Sequence, residues 1–204
     1  MLDHLVYAGP DLADAVARVT ALTGVTPVPG GRHAGLGTAN HLADLGAGGY
    51  LEVIGPDPEQ PDPDGPRPFG IDDLTEPALV AWAVRTPDID ATIAAARARG
   101  FDPGDPMAMS RETGDGETLR WRLTPPSLPG TLRPFLIDWG STPHPTTRNL
   151  PSLPLLMVTG THPDPASVRT ATDALGLELL VRRADKAGLT AALRTPEGRQ
   201  VALS

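Results

Sequence analysis

The sequence predicts an α+β fold built from repeated βαβββ units. The main observation is a threefold internal repeat. The segments LDHLVYAGPDLADAVARVTALTG (2–24), LVAWAVRTPDIDATIAAARARG (79–100) and LLMVTGTHPDPASVRTATDALG (155–176) each pass from a short apolar run through Pro-Asp into an amphipathic stretch closed by Gly. The pairs Pro10-Asp11, Pro87-Asp88 and Pro163-Asp164 lie 77 and 76 residues apart, and Gly24, Gly100 and Gly176 follow their Asp by 13, 12 and 12 residues. The second observation is that further strand-like segments follow each repeat.

Each element has a local cause. Val6 and Val84 lie in β-favouring runs of strand length, and Pro10 and Pro87 end them. Asp11 and Asp88 are placed to N-cap helices, because a carboxylate there accepts the unpaired amides of the first turn. Leu12, Ala15, Val16, Val19 and Leu22 recur at helical spacing in the first helix, and Ile89, Ile93 and Ala96 in the second. Gly24 and Gly100 can take the left-handed conformation that stops a helix.

In the first unit strands are expected near 25–28, 38–45 and 49–54, with the glycine-rich stretch Pro29 to Gly37 as a long connection. The second unit supplies strands near 106–110, 117–124 and 132–139. There Leu119, Trp121 and Leu123 alternate with Arg120 and Arg122, a period-two pattern with an arginine face. The third supplies strands near 177–182, 189–195 and 199–203. Two connections separate the units. GPDPEQPDPDGPRP (55–68) holds six prolines and reads as an extended, solvated linker. GSTPHPTTRNLPSLP (140–154) is expected to run over the surface, with His144, like His162, as a loop or capping residue.

Composition narrows the function. The 204 residues carry 17 basic and 25 acidic side chains, a net charge of -8, which argues against a nucleic-acid partner because a phosphate backbone needs a basic face. With no cysteine there is no disulfide framework, thiolate metal site or cysteine nucleophile. The N-terminus does not read as a signal peptide and no apolar run is long enough to span a bilayer, so a soluble, cytoplasmic protein without a membrane partner is expected. GGRHAGLG lacks the strand, turn and helix context of a dinucleotide fingerprint, so no nucleotide cofactor is expected.

LDHLVYAGPDL, GGRHAGLGT with NHLADLG after it, YLEVIG, and LRWRLTPP followed by PFLIDWG stand in an order and spacing that resemble the glyoxalase-like branch of the vicinal oxygen chelate superfamily. The likeness covers residues 1 to about 146. It implies that two βαβββ modules (1–56 and 78–140, within a unit of 1–146) pair into a curled-sheet cup that binds a small organic molecule. Residues 147–204 are then a third βαβββ-like unit, which could pair with its counterpart in a homodimer or pack on the first two within the monomer.

The resemblance further implies a divalent ion (Zn, Ni, Mn, Fe or Co) held by the first and last strand of each module. His4 and Glu52 match the first-module ligand positions, and both are chemically able. Aligning the modules puts Ala81 opposite His4 and Ile137 opposite Glu52, and neither binds a metal. A one-residue slip would bring Asp138 in instead. His41 is a candidate third ligand if Leu42 faces the helices, and His33 lies in the glycine-rich loop where backbone can approach a ligand.

Tyr50, Trp121, Trp139 and whichever of Arg120 and Arg122 points inward are further candidates for contacting a substrate. The arginines could instead solvate an outer face, and the aromatics could be core. Two functions compete. One is a metal-dependent lyase or isomerase of glyoxalase type, acting through an enolate or enediolate with Glu52 moving the proton, a dioxygenase being less expected. The other is a metal-free binding protein resembling the drug-sequestering, bleomycin-resistance type.

Overall fold

The computed structural model describes residues 1–112, 116–126 and 130–204. The first module contributes β1 (Leu2–Ala8), α1 (Leu12–Thr23), β2 (Val28–His33), β3 (Thr38–Gly46) and β4 (Gly49–Pro56). The second contributes β5 (Ala78–Arg85), α2 (Ile89–Ala98), β6 (Met107–Glu112), β7 (Thr118–Leu123) and β8 (Phe135–Asp138). Their strands close into one barrel in the order β1-β4-β3-β2-β6-β7-β8-β5. The seams between modules are the antiparallel β1–β5 pair and the β2–β6 pair, where Arg32 faces Glu112.

The helices form where the caps dictate. The Asp11 carboxylate accepts from Asp14 N at 2.9 Å, Asp88 accepts from Ala91 N at 2.9 Å, and Gly24 ends α1 in the left-handed region with φ 74°. Both helices lie outside the barrel. Their apolar faces bury Val19 and Ile93 with Leu5, Tyr7, Leu51, Val53 and Trp82, while Val6, Ala8, Leu42, Ile54, Ala81 and Phe135 form a separate cluster inside. The barrel strands are therefore apolar on both faces, as expected of a sheet covered on both sides.

One strand departs from the sequence expectation. β2 runs through the glycine-rich stretch that reads as a connection, because close approach rather than β propensity decides its course. A Cβ on Gly30 would lie 2.4 Å from Asn40 Oδ1 and 2.5 Å from Arg111 Nη1, and one on Gly31 only 2.2 Å from the Glu112 carbonyl oxygen. Only glycine lets β2 close against β6 with Arg111 beneath it.

The linker expected at 55–68 also does more than span. Arg67 donates to the Gly37 carbonyl at 3.2 Å and to Asp72 Oδ1 at 2.7 Å, and pairs with Asp62. These bonds fold the connection back, so that Pro66, Pro68 and Phe69 line the barrel's mouth.

The third unit has β9 (Leu155–His162), α3 (Pro165–Ala174), β10 (Leu180–Arg183), β11 (Gly188–Arg194) and β12 (Gln200–Leu203). It keeps the βαβββ succession of elements but not the strand order. In the barrel modules the first strand pairs in parallel with the last, as β1 does with β4. In the third unit β9 pairs in parallel with β10, the strand directly after the helix, giving the open order β10-β9-β11-β12. Its buried face, with Leu189, Ala191 and Leu193, joins the core outside the barrel. Of the two arrangements expected for this unit, this face takes the one that packs on the first two modules.

Candidate functional site

Strand alternation decides which side chains enter the barrel. On β1 and β4 the inward positions are His4, Tyr50, Glu52 and Ile54, and on β3 they are Thr38, Asn40 and Leu42. On β6 they are Met107, Met109 and Arg111, and on β7 Leu119, Trp121 and Leu123. All of these but Thr38, Leu42 and Leu119 line a cavity of about 210 Å³ with an apolar wall and a polar floor.

The floor is built on Asp3, a fully buried carboxylate. Its Oδ1 is 2.7 Å from His4 Nδ1, and its Oδ2 is 3.0 Å from His144 Nε2 and accepts from Trp139 Nε1 at 3.1 Å. Burial alone would raise its pKa, but the hydrogen bonds and charges of His144 and His4 hold it well below the usual carboxylate range. An ionised carboxylate only accepts, so His4 Nδ1 carries the proton. His4 Nε2 then faces the cavity, 3.7 Å from Glu52 Oε2. Tyr50 stacks on the imidazole with centroids 4.7 Å apart, and Phe135 meets it edge-on at 5.4 Å.

Glu52 is 6% exposed. Its Oε1 accepts from Asn40 Nδ2 at 2.5 Å and lies 3.8 Å from His33 Nε2. Asn40 Oδ1 in turn accepts from Arg111 Nη1 at 2.9 Å. The ends of this chain settle the amide's orientation, since a guanidinium can only donate and a carboxylate can only accept. His33 Nδ1 lies 3.0 Å from Thr38 Oγ1. Burial lowers the His33 pKa to about 4, with Arg111 and His4 adding to the shift and Glu52 opposing it, so its ring is neutral at pH 7. Burial likewise pushes the Tyr50 phenol far above its ordinary value.

The barrel thus brings His4, His33, Tyr50, Glu52, Trp121 and Trp139 to one cavity and leaves three expected residues outside it. Leu42 faces the interior, so His41 points the other way, into a groove between α1 and the 56–67 connection. It cannot share an ion with His4 and Glu52. Arg120 and Arg122 both lie on the outer face of β7, where Arg122 makes two bonds to Asp90 of α2, at 2.7 and 2.9 Å. Asp138 is also outside, with its Oδ2 accepting from Ile89 N at 3.3 Å.

The second-module equivalence shifts as well. Gly9 N bonds to the Ile54 carbonyl as Thr86 N bonds to that of Ile137, so Ile137 matches Ile54 and Phe135 matches Glu52. Sequence reasoning missed Asp3, Asn40 and Arg111, and it gave His144 its capping role over 145–147 but not its bond to Asp3. For Arg111 a signal existed, because it shares strand parity with Met107 and Met109.

This donor set does not complete a metal site. His4 Nε2 and Glu52 form one edge, Ala81 and Phe135 offer nothing opposite, and His33 sits against the other Glu52 oxygen. Among the described residues no group of three or more His, Asp or Glu is arranged to hold a metal ion. The set falls short of the three protein ligands usual at a catalytic zinc.

A glyoxalase-like domain model matches residues 2–176, most of the chain. The chain belongs to that family. It is thereby a glyoxalase-like member of the vicinal oxygen chelate superfamily. No curated protein sequence matches it.

Among solved structures, a hypothetical protein from Staphylococcus aureus is similar over 98% of this chain and 84% of its own, at 14% identity and TM-score 0.64, and shares the fold. Methylmalonyl-CoA epimerase from Mycobacterium tuberculosis is similar over 72% of this chain and 91% of its own, at 16% identity and TM-score 0.42. A mutant 4-hydroxymandelate synthase from Streptomyces coelicolor is similar over 97% of this chain and 60% of its own, at 13% identity and TM-score 0.46. Among the described residues no helix of this glyoxalase-like chain is long and apolar enough to cross a membrane.

Proposed function

We propose that this glyoxalase-like protein binds a small organic molecule in its barrel and moves a proton at a carbon beside a carbonyl, as a lyase or isomerase acting through an enolate. The observation that carries this is the buried pair His4 Nε2 and Glu52 Oε2, 3.7 Å apart at the floor of an apolar cavity. Glu52 takes the C–H proton as general base. The electron pair moves onto the carbonyl oxygen as the enolate forms, and Arg111 is near enough to the floor to stabilise that charge. Asp3 holds His4 with Nε2 toward Glu52, so the imidazole can receive the proton or return it.

A divalent ion is the second reading. It is favoured by one feature: His4 turns its Nε2 toward a carboxylate oxygen of Glu52, 3.7 Å away. With the donor set incomplete, no step above runs through an ion. Elemental analysis of protein purified without a metal-affinity tag decides the point, since stoichiometric metal lost in both His4→Ala and Glu52→Ala variants would establish it. A homodimer through residues 147–204 is supported by exposed Leu156, Met157 and Leu180, and a monomer mass by light scattering removes it.

The catalytic reading is tested in deuterium oxide with phenylpyruvate, 4-methyl-2-oxopentanoate and the neutral diketone 1-phenyl-1,2-propanedione. Proton NMR should show C–H exchange faster than in buffer, falling by about 10²–10⁴-fold in Glu52→Gln, the range for a lost general base. Binding without any accelerated exchange would instead leave the metal-free binding protein.

A further inference from the structure

Arg111 is the charged group of the cavity that offers more donors than an enolate oxygen alone takes up. Its side chain is buried, at 3% exposure, and it lines the cavity. Among the described residues it bonds to Asn40 Oδ1, a neutral acceptor, and forms no ion pair. A guanidinium stays charged in a protein and offers five N–H donors in a planar fork that matches a carboxylate. Burying it without a counter-ion is costly.

The chain is nonetheless shaped to keep it there. β2 has glycine at position 30, where a methyl group would collide with both Arg111 Nη1 and Asn40 Oδ1. Around it the wall is apolar, with Met107, Met109, Trp121, Leu36 and Phe69. Among the described residues the Trp121 indole nitrogen is itself buried without a hydrogen-bond partner.

We propose that the ligand of this cavity is a small carboxylic acid with an apolar body, its carboxylate taken by Arg111 and its body held against the methionine and aromatic wall. The amide of Asn40 alone separates Arg111 from Glu52 Oε1, so one small molecule can place its anionic head on Arg111 and its reacting carbon at Glu52. This rests on the reading of the barrel interior as the ligand site and names the substrate class for it. The competing role for Arg111 is electrostatic balance for Glu52 at longer range, which predicts no preference for anions.

The test uses the full chain and compares phenylacetate, 3-phenylpropanoate and 4-methylpentanoate with their primary amides by quenching of tryptophan fluorescence. At least one acid should bind tenfold or more tightly than its amide. That preference should disappear in Arg111→Gln and persist in part in Arg111→Lys. Equal binding of acid and amide, binding of none of the acids, or a preference that survives Arg111→Gln overturns the proposal. The wild-type comparison needs no variant to fold. Anion preference without Glu52-dependent exchange would remove the catalytic reading and leave this one, whereas exchange on the neutral diketone without anion preference would do the reverse.

Discussion

Asp3 holds His4 from behind, its Oδ1 accepting the Nδ1–H at 2.7 Å in a place with no access to water. The same carboxylate takes the Trp139 indole N–H and His144 Nε2. Thr146 N donates to His144 Nδ1, which leaves the proton on Nε2 and aims it at Asp3. One charge therefore organises three rings. In Asp3→Asn an amide N–H₂ must face at least one of these donors, and the variant should lose on the order of 3 kcal/mol, the scale for breaking a buried charged network. Urea denaturation measures that loss. Nitrogen-15 spectra of the imidazoles should show His4 as the Nδ1–H tautomer in the native protein and as a mixture in the variant.

His33 makes stability depend on pH in a direction that follows from its burial. Its pKa falls from 6.5 to about 4 on folding, so below pH 6.5 the unfolded chain binds a proton that the folded chain refuses. The contribution is complete above pH 6.5 and is lost progressively as pH falls toward 4. The full shift corresponds to roughly 3 kcal/mol. Urea midpoints taken from pH 7.5 to 4.5 should decline more steeply in the native protein than in His33→Gln, whose side chain does not titrate. Parallel profiles would show that the His33 ring gains its proton without cost.

The parts of this site legible in the sequence are those where one strand face announces itself. Trp121 could be placed because Leu119 and Leu123 alternate with arginines, and His4 and Glu52 because their motifs match a family. His41 is not placed correctly by its sequence, for a physical reason. An inward His41 requires Leu42 to face the helices, but the barrel interior is a second apolar core, and apolarity alone does not say which core a leucine enters. Arg111 is hidden for the complementary reason, since an arginine in MAMSRE reads as a solvated edge unless Met107 and Met109 share its face, as they do. The strand order of the third unit was beyond reach, because local patterns set element succession while tertiary pairing sets which strands become neighbours.

Gly30 and Gly31 are adjacent but should fail differently. In Gly30→Ala the new methyl meets side-chain atoms of Asn40, Arg111 and Leu42, which can shift. Overpacking of this kind costs about 1–3 kcal/mol, and the displaced Asn40 and Arg111 should weaken carboxylate binding in a protein that still folds. In Gly31→Ala the obstacle at 2.2 Å is the Glu112 backbone oxygen, which cannot move without opening the β2–β6 seam. Thermal melts should therefore rank the native protein above Gly30→Ala and Gly30→Ala above Gly31→Ala.

The two faces of the second module's sheet give a paired test of which arginine serves the cavity. Arg122 has a side chain 45% exposed and holds Asp90 across the outside of the barrel, where solvent screens the pair. Arg111 is buried against the floor. Arg122→Gln should leave both the melting temperature and ligand affinity unchanged, because its side chain reaches no cavity atom. Arg111→Gln should reduce carboxylate affinity at least tenfold while changing affinity for the matching amide little. If Arg122→Gln alone lowered carboxylate affinity, the inward and outward assignments on β7 would have to be exchanged, and Trp121 would then leave the cavity along with Leu119 and Leu123, since a one-residue slip turns over every side chain on a strand.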